Sequence, residues 1–341
     1  ADGNTWVGLG TSIFSSYGRG IAWNGTMFVA GGVGTNALAY SYDGINWVGL
    51  GTGTFSYATC LGWNGTRWVA CGAGTNSLAY SNDGINWTGV TGTSIFSSEG
   101  SSVVWSASLS RFVATGSGGN TLAYSSDGIS WTGVPMSKSI FSSYGYGIEW
   151  NGTIFVATGA GGNSLAYSYD GINWSGLSTG VFSSYGRKVV WNGVYFMAGG
   201  AGTNTRAYST NGLNWTGLGT SVITNEVIGV AWNGCRHMSY SNGGASNRAL
   251  PSVNIVHPTI ATGTGSNTLS YSIDGINWTG LGNDIFSTSG KSAVWNGSLW
   301  VAVGSGTNTI AWSNDGLNWT GLGTSIFSTS GNGVTWNGTY F

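Results

Sequence analysis

The octapeptide Tyr40-Ser41-Tyr42-Asp43-Gly44-Ile45-Asn46-Trp47 decides the fold because it returns. It stands again at 80–87, 124–131, 167–174, 208–215 and 271–278, with Trp312 for the tyrosine at 312–319, and its tail occurs at 2–6. The closing tryptophans fall at 6, 47, 87, 131, 174, 215, 278 and 319, giving steps of 41, 40, 44, 43, 41, 63 and 41. A second series stands at 23, 63, 105, 150, 191, 232, 295 and 336, mostly followed by Asn-Gly. A period of about 42 residues is the mark of a repeat architecture, in which each unit buries its apolar face only against its neighbours.

Working outward from the octapeptide, each unit reads as four short strands. Gly20–Trp23 is strand A, and Asn24-Gly25 predicts a two-residue hairpin with φ > 0 at both central positions. Phe28–Gly31 is strand B. Ala37–Ser41 follows a Gly-Thr-Asn loop as strand C. Asp43-Gly44 turns the chain into strand D, Asn46–Leu50. With no helical periodicity, the class is all-β: a single β-propeller domain over 1–341, built of four-stranded antiparallel blades. Eight blades are expected, with seven and a spare half-blade as the alternative. An N-terminal D strand (Asn4–Leu9) and C-terminal A and B strands (Gly333–Phe341) would share one blade and close the ring. Such closure removes free sheet edges.

Composition agrees with stacked blades. Only 6% of the 341 residues are charged, against about 25% in ordinary domains. Stacking buries both faces of most strands, and sixteen of the nineteen tryptophans belong to the two series. They read as packing between blades, not as a sugar platform. Ten Lys+Arg against eleven Asp+Glu exclude a basic nucleic-acid binder. No apolar run approaches the roughly eighteen residues of a membrane helix, so no membrane insertion is expected. The sequence starts at Ala1 without a signal-peptide pattern, which fits a leader already removed. Cys60 and Cys71 flank one predicted hairpin, where either a disulfide or two small packed side chains would fit.

The turn Ser41-x-Asp43-Gly44-x-x-Trp47 resembles the Asp-box (BNR-type) turn of sialidase-like propellers, in which serine, aspartate, glycine and tryptophan brace the turn between a blade's third and fourth strands. Here the turn is one residue shorter between Asp and Gly, and Asn211 replaces the aspartate in one copy. The resemblance spans nearly the whole chain and implies fold, not activity. It implies that Asp43, Asp83, Asp127, Asp170, Asn211, Asp274 and Asp315 are structural. Similar arrays imply an extracellular, cell-surface or virion-surface location.

Outside the boxes the carboxylates are Glu99, Glu149, Glu226 and Asp284, in separate units. Glycoside hydrolysis needs two at a defined separation, so no catalytic residue is assigned and a sialidase-like hydrolase is the distant alternative. Cys235, His237 and His257 fit no zinc spacing, and neither metal nor cofactor is expected.

Informative positions are those that refuse to repeat. Six residues before each strand-A tryptophan stand Tyr17, Tyr57, Glu99, Tyr144, Tyr185, Glu226, Ser289 and Ser330. Four before it stand Arg19, Thr59, Ser101, Tyr146, Arg187, Ile228, Lys291 and Asn332. Lys188 adds a further charge. These residues are expected in the loop leading into strand A, as a face for a glycan or a surface protein. The second irregularity, the insertion Cys235–Pro258, is a candidate contact for self-association or an assembly partner. The expected function is a non-catalytic binding or adhesion propeller; the alternative is a structural subunit of a fibre, coat or appendage. Of ten Asn-x-Ser/Thr sequons, Asn24, Asn64, Asn151 and Asn296 lie in exposed turns and are the candidate glycosylation sites.

Overall fold

The computed structural model describes residues 8–90, 95–231, 258–336 and 339–341. The protein is an all-β propeller of four-stranded antiparallel blades. In the first blade strand A is Tyr17–Trp23, B is Phe28–Val33, C is Leu38–Ser41 and D is Val48–Gly49. Strand A therefore begins earlier than the alternation suggested. Strand D is shorter than expected, because Asn46 and Trp47 belong to the turn. The A strands that follow are Tyr57–Trp63, Glu99–Ser106, Tyr144–Trp150, Tyr185–Trp191, Glu226–Ala231 and Ser289–Trp295. Each contacts the next around the axis, and so they form the innermost layer.

The octapeptide builds one turn seven times. In the first copy Ser41 Oγ accepts the Gly44 N–H at 2.8 Å, and Asp43 Oδ1 accepts those of Ile45 and Asn46 at 2.8 and 2.7 Å. The Trp47 indole N–H donates to the Gly44 carbonyl at 3.0 Å. Gly44 sits at φ +74, where a side chain would be strained. Asn211 makes the same two backbone bonds with its amide oxygen, at 3.0 and 2.9 Å, so the turn requires an acceptor and not a charge.

The Asn-Gly hairpin differs from the expected turn. Only Gly25 has positive φ (+99), and Asn24 Oδ1 instead accepts the N–H groups of Thr26 and Met27 at 2.9 and 2.8 Å. The loop is thus four residues, Trp23 pairing with Phe28. The side-chain acceptor replaces the second left-handed residue.

Blade faces carry the core. Phe55, Ala58, Trp68 and Ala70 of the second blade pack on Met27, Val29 and Leu38 of the first, and Trp63 and Trp87 close the cluster from its margins. Most described tryptophans of the two series lie half-buried between blades, whereas Trp68 and Trp300 occupy the fully buried position held by phenylalanine in four other blades. Backbones approach closely at the inner strands: a Cβ on Gly72 would stand 2.3 Å from the Tyr57 carbonyl oxygen. Cys60 and Cys71 oppose each other in the second blade's A–B ladder and are joined by a disulfide, Cα to Cα 5.0 Å.

Seven blades are complete among the described residues. Ser330 bridges Ser305, and Lys291 Nζ donates to Asn332 Oδ1 at 2.6 Å. A Cβ on Gly333 would stand 3.0 Å from the Arg19 carbonyl oxygen, as one on Gly147 would stand 3.2 Å from that of Arg187. The C-terminal segment thus lies between the seventh blade and the first. The expected C-terminal strands are not formed over Gly333–Trp336, although Trp336 packs on Phe341 with ring centroids 4.7 Å apart. The N-terminal D strand up to Val7 and the Cys235–Pro258 insertion up to His257 fall outside the described residues, and Gly8 and Leu9 are not in a strand.

The box carboxyls give the fold an acid limit. Burial raises the pKa of Asp170, but the N–H groups of Asn173 and Ile172 outweigh it and hold the group at about 2. Asp274 and Asp315 are balanced in the same way, also at about 2. A carboxyl depressed on folding contributes stability that is whole above its unfolded pKa and is lost as pH falls through the folded one. We expect Tm to hold down to about pH 4 and to fall towards pH 2. Replacing Asp170, Asp274 and Asp315 by Asn should preserve the fold and flatten that limb, as read by circular dichroism melts. An unchanged limb would refute the assignment.

Candidate functional site

The non-repeating positions belong to strand A itself and not to a preceding loop. The residue six before each tryptophan is the first of the strand, where it bridges the end of the preceding blade's strand B: Val33 with Tyr57, Ala73 with Glu99, Ser117 with Tyr144, Ala160 with Tyr185, Ala201 with Glu226. The residue four before it is skipped by the A–B ladder in every described blade. The register jumps from Gly18 to Gly20 over Arg19, from Gly145 to Gly147 over Tyr146, from Gly186 to Lys188 over Arg187, and from Gly290 to Ser292 over Lys291. Each is a β-bulge, which leaves one residue unpaired and re-aims its side chain. Variation is tolerated there because the bulged residue does not answer to the ladder.

Together these residues form a belt around one mouth of the central channel. The Tyr57 hydroxyl donates to Glu99 Oε2 at 2.9 Å, and that of Tyr185 donates to Glu226 Oε2 at 2.7 Å. Arg19 lies over the Tyr57 ring, 4.7 Å from its centroid, and reaches Glu99 at 4.0 Å. Tyr144 and Tyr146 stack at 4.5 Å, Tyr146 meets Tyr185 at 5.7 Å, and Arg187 covers Tyr146 at 5.3 Å. The belt therefore holds a rigid aromatic platform on the fourth and fifth blades, flanked by cations. Burial, reinforced by the neighbouring glutamates, pushes Tyr144 and Tyr185 up to about 12, so both hydroxyls remain protonated donors. Burial lowers the pKa of Lys291, which sits beside Asn332.

Glu149 lies deeper, next to its strand's tryptophan, where Ala22, Gly62, Val104 and Val190 stand in other blades. The surrounding walls desolvate it and push it up to about 7, against the opposing pull of Lys188 on the next blade. Three of the four non-box carboxylates, Glu99, Glu149 and Glu226, thus reach the innermost strands, a juxtaposition that spacing alone could not reveal.

Sequence reasoning missed the Gly-Thr-Asn loop as a positioning element. Asn36 Nδ2 donates to the Ile13 carbonyl at 2.7 Å, and its Oδ1 accepts the Gly51 N–H at 2.7 Å. It pins the segment leading into strand A to the end of strand D. Asn76, Asn163, Asn204, Asn267 and Asn308 hold the corresponding carbonyls in their blades. The recurrence of this Asn in the sequence was the available signal. Where the box carries an aspartate, the sequon asparagine of the octapeptide spends its amide nitrogen on it, Asn86 Nδ2 donating to Asp83 Oδ2 at 2.7 Å, whereas the oxygen of Asn24 or Asn151 carries the turn.

Because Glu149 has a folded pKa above its unfolded value, the native state binds the extra proton and stability falls as pH rises from about 4.5 to about 7. Glu149→Gln should remove that decline and raise Tm at pH 8 relative to the parent. Equal melts at pH 8 would contradict the desolvated placement.

No protein-family model matches the chain, and no curated protein matches it. Solved structures do. The computationally designed Ika8 protein aligns with TM-score 0.64 at 13% identity, over 96% of this chain and 92% of its own. Virginiamycin B lyase from Staphylococcus aureus aligns with TM-score 0.63 at 11% identity, over 92% and 96%. YCF48 from Cyanidioschyzon merolae aligns with TM-score 0.55 at 12% identity, over 87% and 95%. At these identities the likeness shows the fold alone: the chain is a β-propeller-like protein.

Proposed function

We propose that the protein is a non-catalytic binding propeller that recognises a glycan or a surface protein through the belt at the channel mouth. The observation that carries this reading is the bulge. It recurs in every described blade and frees one residue per blade from the ladder, and those residues include Arg19, Tyr146, Arg187 and Lys291. Tyrosine rings with fixed hydroxyl donors, beside arginines, suit sugar faces or protein side chains at low entropic cost. Glu99 and Glu226 are each held by a tyrosine hydroxyl, which favours an architectural role over acid–base chemistry. A chain of similar fold in the mitotic checkpoint complex (TM-score 0.57, 12% identity, 94% of each chain) supports partner binding as a use of this scaffold. The Ser–Asp–Gly–Trp contacts support kinship of the turn with the Asp-box, and with it an extracellular or particle-surface setting. Asn24, Asn64, Asn151 and Asn296 remain the proposed glycan attachment points.

A second reading, a structural subunit, draws on the other face. There the box turns expose Tyr42 (61%), Ile45 (55%), Tyr169 (56%) and Ile273 (53%), an apolar rim suited to contact between copies.

A glycan-array screen of the purified chain separates the two. Binding to a defined sugar set, reduced at least about tenfold in Arg187→Ala and Arg19→Ala, is the expected result. Silence from well-folded protein, with concentration-dependent assembly by sedimentation, would overturn it in favour of the structural reading.

A further inference from the structure

The residue two before the octapeptide's Tyr-Ser pair is apolar in six blades: Leu38, Leu78, Leu122, Leu165, Leu269 and Ile310, all buried against the next blade. In the fifth blade it is Arg206, which is 1% exposed. Its guanidinium lies over Trp278 of the sixth blade, 5.0 Å from the ring centroid, and neither Nε nor Nη1 has a hydrogen-bond partner. An arginine side chain stays protonated in proteins, and a buried unpaired charge is among the costliest groups a core can hold.

The facing surface is altered as well. Ser270 pairs with Gly280 across the C–D ladder, and Trp278 stands two residues before Gly280, so Ser270 and Trp278 share the face turned towards the fifth blade. Trp278 is packed there against the cluster of Met197 and Val227. Ser270 is fully buried, its Oγ has no partner, and the other blades carry alanine at this position. Unsatisfied donors therefore face one seam from both sides, a departure from the repeat on each.

Among the described residues none supplies a counter-charge. The insertion from Cys235 to Pro258 contains no Asp or Glu. Of the eleven carboxylate side chains only Asp2 lies outside the described residues, and among the rest the one ion pair is Arg19 with Glu99. We propose that a small inorganic anion of halide size, taken from solution, lies between the fifth and sixth blades as the counter-ion of Arg206. The Arg206 Nε–H and Nη1–H groups and the Ser270 hydroxyl donate to it. The anion serves as a structural ligand, separate from the channel mouth, and makes the seam salt-dependent.

The test is thermal unfolding of the whole chain in sodium chloride against sodium gluconate at matched ionic strength, gluconate being a much larger anion than chloride. Wild-type Tm should rise by about 2 °C for each tenfold increase in chloride beyond saturation of the site, with no comparable rise in gluconate. Arg206→Leu restores the residue of five other blades and should be insensitive to the choice of anion. Its Tm in gluconate should exceed that of the wild type. Ser270→Ala should keep the chloride response with weaker affinity. Crystals soaked in bromide should show an anomalous peak beside Arg206. Equal wild-type melts in the two salts, or the same chloride response in Arg206→Leu, would overturn the proposal. The wild-type comparison decides even if the variant does not fold.

Discussion

The bond from the Gly44 N–H to Ser41 Oγ, repeated in seven blades, is the constraint on which the remaining structure hangs. It folds the chain back within three residues after strand C, so a two-residue strand D suffices to finish the sheet. The same turn fixes the indole of Trp47 to the Gly44 carbonyl and so delivers a large apolar side chain at a set height on the blade. Tryptophans placed in this way, with those at the ends of strands A, close the clusters between adjacent blades. A chain with so few charges can then bury both faces of nearly every sheet without leaving many polar groups to satisfy.

Against that uniform packing, the bulge in strand A separates scaffold from display. The residues on either side of it are tied to strand B by ladder bonds, and the small residue preceding it sits against the neighbouring blade. The bulged residue is released from the ladder. Its neighbours around the axis become its partners, as when Arg187 lies over Tyr146 or Lys291 meets Asn332. The belt is thus rigid because its members hold one another, which lowers the ordering cost of any contact made there. The fifth and sixth blades show the opposite case: a departure from the repeat inside the packed seam leaves Arg206 and Ser270 without partners.

The period, the four strands of each unit and the octapeptide's own turn were legible because local bonds produce them. Ser41, Asp43, Gly44 and Trp47 satisfy one another within a seven-residue span, so composition and spacing carry the information. The position of the belt residues in the repeat was legible too, since failure to repeat is visible without coordinates. Their setting was not. A bulge is a mismatch between two strands, and nothing in Gly18-Arg19-Gly20 alone says which residue the ladder omits. Likewise the Asn24 turn and the short strand D depend on which side chain captures which N–H. The sequence by itself determined that each unit is a blade and that blades must stack, because apolar residues alternating in short strands can be buried in no other way. Only the tertiary structure decided that Arg19 reaches past Tyr57 to Glu99 and that Glu149 is desolvated beside Lys188. It alone decided that Arg206 faces Trp278. These are contacts between residues about 40 to 80 positions apart, set by the closing geometry of the ring and by no local rule.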